Sequence, residues 1–152
     1  VARNQDQLAG VIAHEIGHVI SRHHDERITR QAGAQGVLGL AGALLGNTGY
    51  GGLVSQGGSL LAQTGFLLPG SRTQEGEADV VGQRLMAQAG FDPRGAVSLW
   101  ENMIAAGGSR QPEFLSTHPD PSARIGEMRS RATSLLPTYE QARAAGRRPS
   151  CG

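Results

Sequence analysis

His14 and His18 stand four residues apart in a segment whose apolar residues, Leu8, Val11, Ile12, Ile16, Val19 and Ile20, recur at three- and four-residue steps. On a helix this spacing puts both imidazoles on one face, within reach of a single metal ion. Glu15 projects about 100° further around the axis. That places it beside such an ion rather than among its ligands, where a base for an activated water belongs. A catalytic zinc keeps three protein ligands and one open position, so a third ligand must come from elsewhere. The sole cysteine, Cys151, lies beside the C-terminus, which excludes an intrachain disulfide framework and a cysteine zinc ribbon. His23 and His24 follow too closely on the same helix and read as caps of its C-terminal end, where cationic character suits the helix dipole. The carboxylates of Glu75-Gly76-Glu77-Ala78-Asp79 remain. Glu75 and Asp79 share a helical face while Glu77 points elsewhere. Two like charges at that spacing are mildly unfavourable unless a cation or a metal-bound imidazole lies between them. A solvated acidic face is the competing reading of the segment.

The elements that must position these residues read as almost entirely helical. A first helix is predicted from about Asp6 to His24. Residues 33–70, rich in Gly, Leu and Ala, read as two loosely specified helical pieces around the glycine-rich break at 46–52, because each glycine lowers helix stability by up to about 1 kcal/mol. Ser71 followed by Gln74 has the pattern of a capping box, and Ala78, Val81, Leu85 and Ala89 would form the buried stripe of a helix stopped by Gly90. Asp92-Pro93 and Asp120-Pro121 each read as an N-cap followed by proline at the first helical position. The first of these opens a helix carrying Val97, Trp100, Met103 and Ile104, with Trp100 and Met103 expected in the core. The second opens one carrying Ile125, Met128 and Leu135. From Pro137 the composition turns to Ala, Arg, Gly and Pro, and a disordered tail is expected over 137–152.

With 152 residues, the chain is of single-domain size. Its 38% hydrophobic and 18% charged residues and its net charge of +1 are too balanced for a disordered or nucleic-acid-coating chain. No nucleic-acid partner is therefore expected. The longest apolar run, Val37 to Leu45, is broken by Gly39 and Gly42 and falls well short of the roughly 20 residues a bilayer requires. The chain opens on Val1 and reaches helical sequence at once, the look of a piece of a longer protein.

His14-Glu15-Ile16-Gly17-His18, the run from Ser71 to Asp79, and Ser116-Thr117-His118-Pro119 with Arg124-Ile125 together resemble the zinc metallopeptidases that include the HtpX heat-shock protease and the Ste-type CAAX prenyl protease. They have in particular the look of the periplasmic, BepA-like members and their mitochondrial relatives. The resemblance runs from about Asp6 to Ile125. It implies a mainly α, zincin-like (gluzincin) catalytic domain over residues 1–136. One zinc would be held by His14, His18 and Glu75, with Glu15 as general base and Asp79 orienting a ligand histidine. It also sets His118 near the zinc, to stabilise the oxyanion or to occupy the open position at rest, with Arg124 helping by charge. Members of the family carry a small sheet upstream of the first helix, whose edge strand pairs with extended substrate. This chain starts too late to contain it, so an N-terminally truncated domain that binds peptides poorly is expected.

The reaction implied is hydrolysis of peptide bonds in a polypeptide substrate, by a metalloendopeptidase of cell-envelope protein quality control. The location, periplasmic or membrane-associated, and any contact with a membrane surface or envelope proteins come from the resemblance alone. An alternative is an envelope chaperone or assembly factor on the same fold with its zinc site occluded and residues 33–70 as a mobile flap. An ordinary small-residue helix pair packed on the core is the preferred reading of that segment. A purely structural zinc site is disfavoured, since such sites usually supply four ligands and would leave Glu15 without a task.

Overall fold

The computed structural model describes residues 1–45, 49, 52, 72–106, 118 and 122–151. Five helices are described: α1 (Gln5–Ile20), α2 (His23–Leu45), α3 (Arg72–Ala89), α4 (Arg94–Ala106) and α5 (Ser122–Ala144). No strand occurs among the described residues, in keeping with the mainly α reading. The chain divides into two compact units, residues 1–21 with 70–152 and residues 22–69.

In the first unit α1 packs on α3 and α4, and α5 packs on α3 and α4. The α1 start is set by Asn4, whose side chain accepts a hydrogen bond from the Gln7 amide. Its buried face is not the apolar stripe. Gln7, Gly10, Ala13, His14, Gly17 and His18 face inward, whereas Leu8, Ile12, Ile16, Val19 and Ile20 are exposed. Small residues on the inward face let the backbones approach. A Cβ on Gly17 would lie 2.6 Å from the Ala78 carbonyl oxygen of α3, so the histidine-bearing turn and the carboxylate-bearing turn cross almost in backbone contact.

The buried face of α3 is Glu75, Ala78, Asp79, Gly82, Gln83, Met86 and Ala87. Of the expected stripe only Ala78 is fully buried, because the helix turns its polar residues toward the other helices. Gln83 is satisfied there: its amide nitrogen donates to the Met128 and Pro93 carbonyls, and its oxygen accepts from Arg131. Gly90, at φ +86°, ends α3 as expected, with Phe91 and Gly90 amides donating back to the Met86 and Ala87 carbonyls. Asp92 caps α4 through the Arg94 amide; burial pushes its carboxyl up, but the hydrogen bonds and charge of Arg94 outweigh this and hold it below the usual range. The core formed by Ala13, Met86, Leu99, Trp100, Met103 and Met128 lies among these helices, so Trp100 and Met103 are core residues as expected, while Ile104 is 40% exposed.

Three expectations need correction. The first helix stops at Ile20 rather than His24, because Arg22 takes a positive φ of 57°. His23 and His24 therefore open α2 instead of capping α1. Residues 137–144 are the last turns of α5, which passes through Pro137. The helix then ends at Gly146 (φ +89°), with Arg147 and Gly146 amides returning to the Ala142 and Arg143 carbonyls. The following segment is tied down: Arg147 donates to the Gln88 carbonyl at 2.6 Å, and Gln5 donates to the Pro149 carbonyl and accepts from the Cys151 amide. Residues 137–144 are thus helical, and the segment after them is held to α1 and α3 through Arg147, Pro149 and Cys151.

The second unit is described chiefly by α2. Its first turns are laced by Arg22–Asp25 and Arg30–Glu26 ion pairs, and His23 is its one buried residue. Residues 33–45 finish this helix with none buried. The second piece expected before residue 70, the Ser71 cap and the Asp120-Pro121 cap lie outside the described residues.

Candidate metal centre

All the site residues belong to the first unit. The crossing of α1 and α3 brings His14 and His18 against Glu75 and Asp79. Nδ1 of His14 is 2.9 Å from an Asp79 oxygen. With Nδ1 turned to the carboxylate, Nε2 of His14 is the ring nitrogen that faces Nε2 of His18, 3.1 Å away. Glu75 closes the group: its Oε2 is 3.4 Å from His14 Nε2 and its Oε1 is 3.3 Å from His18 Nε2. His118 stands beside both histidines, with ring centroids 5.2 Å and 5.4 Å apart. One donor atom from each of His14, His18, Glu75 and His118 fits within 4.8 Å of the others, close enough for all four to serve one ion.

Burial makes the cluster expensive without a cation. His14 is 3% exposed, Glu75 1% and Asp79 3%. Oε1 of Glu75 is shut off from solvent and has no hydrogen-bond partner, an acceptor left facing imidazole nitrogens. Burial opposes protonation of His14, yet its hydrogen bonds to Asp79 and Glu75 and the charge of both outweigh it, raising its pKa to about 9. Burial likewise pushes Glu75 up, but the close approach of the His14 and His18 imidazoles and the charge of His118 and His14 hold it well below the usual carboxylate range. Both shifts express one demand for positive charge among the donors, and an imidazole and carboxylate donor set suits a divalent ion such as zinc.

Glu15 sits on the open side. Its side chain is 46% exposed, while Oε1 is shielded and lies 3.3 Å from His118 Nε2. Glu77, the third carboxylate of its segment, is exposed and faces away. Arg124, near the start of α5, is buried behind the carboxylates: Nη1 donates to Glu75 Oε2 at 2.9 Å and Nε lies 3.4 Å from Asp79 Oδ2. Its guanidinium also covers the Trp100 ring at 5.2 Å, and that ring meets His14 edge-on at 5.3 Å. All seven residues singled out in the sequence therefore converge on one place. Trp100, read there only as core, also forms the wall behind His14. Its helical spacing could not reveal this, since contact with His14 arises across α1 and α4.

A buried His–His–Glu donor set beside an accessible carboxylate, on a helical scaffold, is the arrangement of a metallopeptidase centre. The profile of peptidase family M48 matches residues 1–132, and the chain belongs to this family. It is 41% identical over 127 residues to the mitochondrial metalloendopeptidase OMA1 of Schizosaccharomyces pombe, covering 82% of this chain and 36% of that protein. It is 33% identical over 148 residues to the beta-barrel assembly-enhancing protease of Escherichia coli, covering 91% and 30%. With OMA1 of Saccharomyces cerevisiae it shares 34% over 148 residues, covering 93% and 41%. The chain thus spans between 30% and 41% of the length of these relatives. No solved structure matches it.

Proposed function

We propose that this chain is the catalytic region of a zinc-dependent metalloendopeptidase acting in protein quality control at a membrane or cell envelope. The observation that carries this reading is the convergence of His14, His18 and Glu75 with a half-exposed Glu15 on their open side. His14, His18 and Glu75 would hold one zinc, which when bound polarises the scissile carbonyl and makes water a stronger nucleophile. Asp79 keeps the Nδ1 proton of His14 and so aims its Nε2 at the donor cluster. Glu15 takes the proton of the attacking water and returns it to the leaving amine. Polypeptides are the substrates, and the location is inferred from relatives whose names refer to mitochondria and to β-barrel assembly. No described helix is long and apolar enough to cross a membrane.

Position is what favours a second reading. His118 can reach the same ion as the three ligands, so it can either support the oxyanion or occupy the open coordination position, as an assembly factor with an occluded site would require. Cleavage of a casein or peptide substrate tests both, with Glu15→Gln as control. The peptidase reading requires zinc to remain bound in Glu15→Gln while hydrolysis falls by orders of magnitude; undiminished turnover would place the chemistry elsewhere. His118→Ala should lose roughly 100-fold in turnover if it supports the oxyanion, and should gain activity if it blocks the site.

A further inference from the structure

Arg124 and the charges around it carry an inference beyond the ligand set. Glu75 and Asp79 are four residues apart on α3, side by side and almost wholly buried. Two carboxylates so placed repel each other weakly on an exposed helix and far more strongly out of water. Arg124 lies between them, its Nη1 donating to Glu75 Oε2 and its Nε 3.4 Å from Asp79 Oδ2, an ion-pair contact without a hydrogen bond, so that one guanidinium spans two carboxylates. Its position is over-determined by Trp100, whose ring it covers. The third nitrogen, Nη2, is shut off from solvent, so this guanidinium does not border the open side where Glu15 is exposed.

We propose that Arg124 is a positioning residue for the metal site. It neutralises one of the two buried negative charges, ties Glu75 to Asp79, and occupies Glu75 Oε2 so that Oε1, which has no hydrogen-bond partner, is the oxygen offered to the ion. This differs from a role in stabilising the oxyanion by charge. It rests on the metal-site reading above and adds to it the residue that holds the ligand carboxylate in place. A lysine could reach one of the carboxylates but not bridge both.

The test uses the 152-residue chain, with zinc affinity measured against a competing chelator and the visible absorption of the cobalt(II)-loaded protein as a report on ligand geometry. Arg124→Gln should weaken zinc about 10- to 100-fold, as loss of a ligand-orienting partner does, and should alter the cobalt spectrum while the far-ultraviolet circular dichroism stays that of the wild type. Arg124→Lys, which keeps a buried cation, should fall between the two, and it carries the test alone if the glutamine variant does not fold. Folded variants with wild-type zinc affinity and cobalt spectrum would overturn the proposal. A wild-type chain that fails to bind zinc would instead overturn the metal-site reading.

Discussion

Protons and the metal compete for the same nitrogen at His14. In the metal-free chain this imidazole has a pKa of about 9, because the hydrogen bonds and charge of Asp79 and Glu75 overcome its burial. It is therefore protonated near neutral pH, whereas a zinc ligand must be neutral. The sign follows: zinc binding near neutral pH releases a proton from His14, and affinity rises with pH until about 9, where that competition ends. Calorimetry in buffers of different ionisation enthalpy should detect the released proton; a binding heat independent of the buffer would contradict it. Asp79→Asn removes the carboxylate that accepts the Nδ1 proton and leaves an amide of the same shape. Zinc affinity should then fall about 10- to 100-fold, measured by chelator competition, with the helical fold kept.

Between elements, the site depends on how closely α1 and α3 approach. The Cβ of an alanine at position 17 would meet the Ala78 carbonyl oxygen at 2.6 Å and its Cα at 2.9 Å, and backbone atoms cannot step aside as a flexible side-chain end can. Gly17→Ala should destabilise the metal-free chain by about 1–3 kcal/mol despite alanine's better helix propensity, read from thermal unfolding. The same displacement separates His18 from Glu75, so zinc affinity should fall with it. A variant as stable as the wild type would show that the crossing has slack.

For the first compact unit, the segment after residue 136 distinguishes composition from packing. Its Ala, Arg, Gly and Pro content predicts a disordered tail, whose removal would leave stability unchanged. In the structure Ala142 is buried, Arg147 bonds to Gln88 at the end of α3, and Gln5 pairs with Pro149 and Cys151. A chain ending at residue 136 should therefore melt about 2–8 °C lower, the shift expected from losing about 1–2 kcal/mol at this size. An unchanged Tm would restore the disordered reading.

Much of the chemistry was legible because it is local. The i, i+4 spacing of His14 and His18, and of Glu75 and Asp79, defines shared faces on any helix those segments form. Gly90 and Asp92 mark helix ends by their own backbone and side-chain preferences. The resemblance to a metallopeptidase family added the link between the two segments, and the family match bears out the resemblance itself. Which face turns inward was not legible. Leu8, Ile12 and Ile16 make α1 amphipathic, yet they are exposed and the inward face is small and polar, since periodicity reports that a helix has two faces but not which neighbour covers either. Composition likewise could not show that Arg147 and Gln5 would hold the last residues in place. Nor could any spacing assign Arg124 to Glu75, 49 residues away: a contact between α3 and α5 exists only once their packing has excluded water and made an uncompensated carboxylate costly.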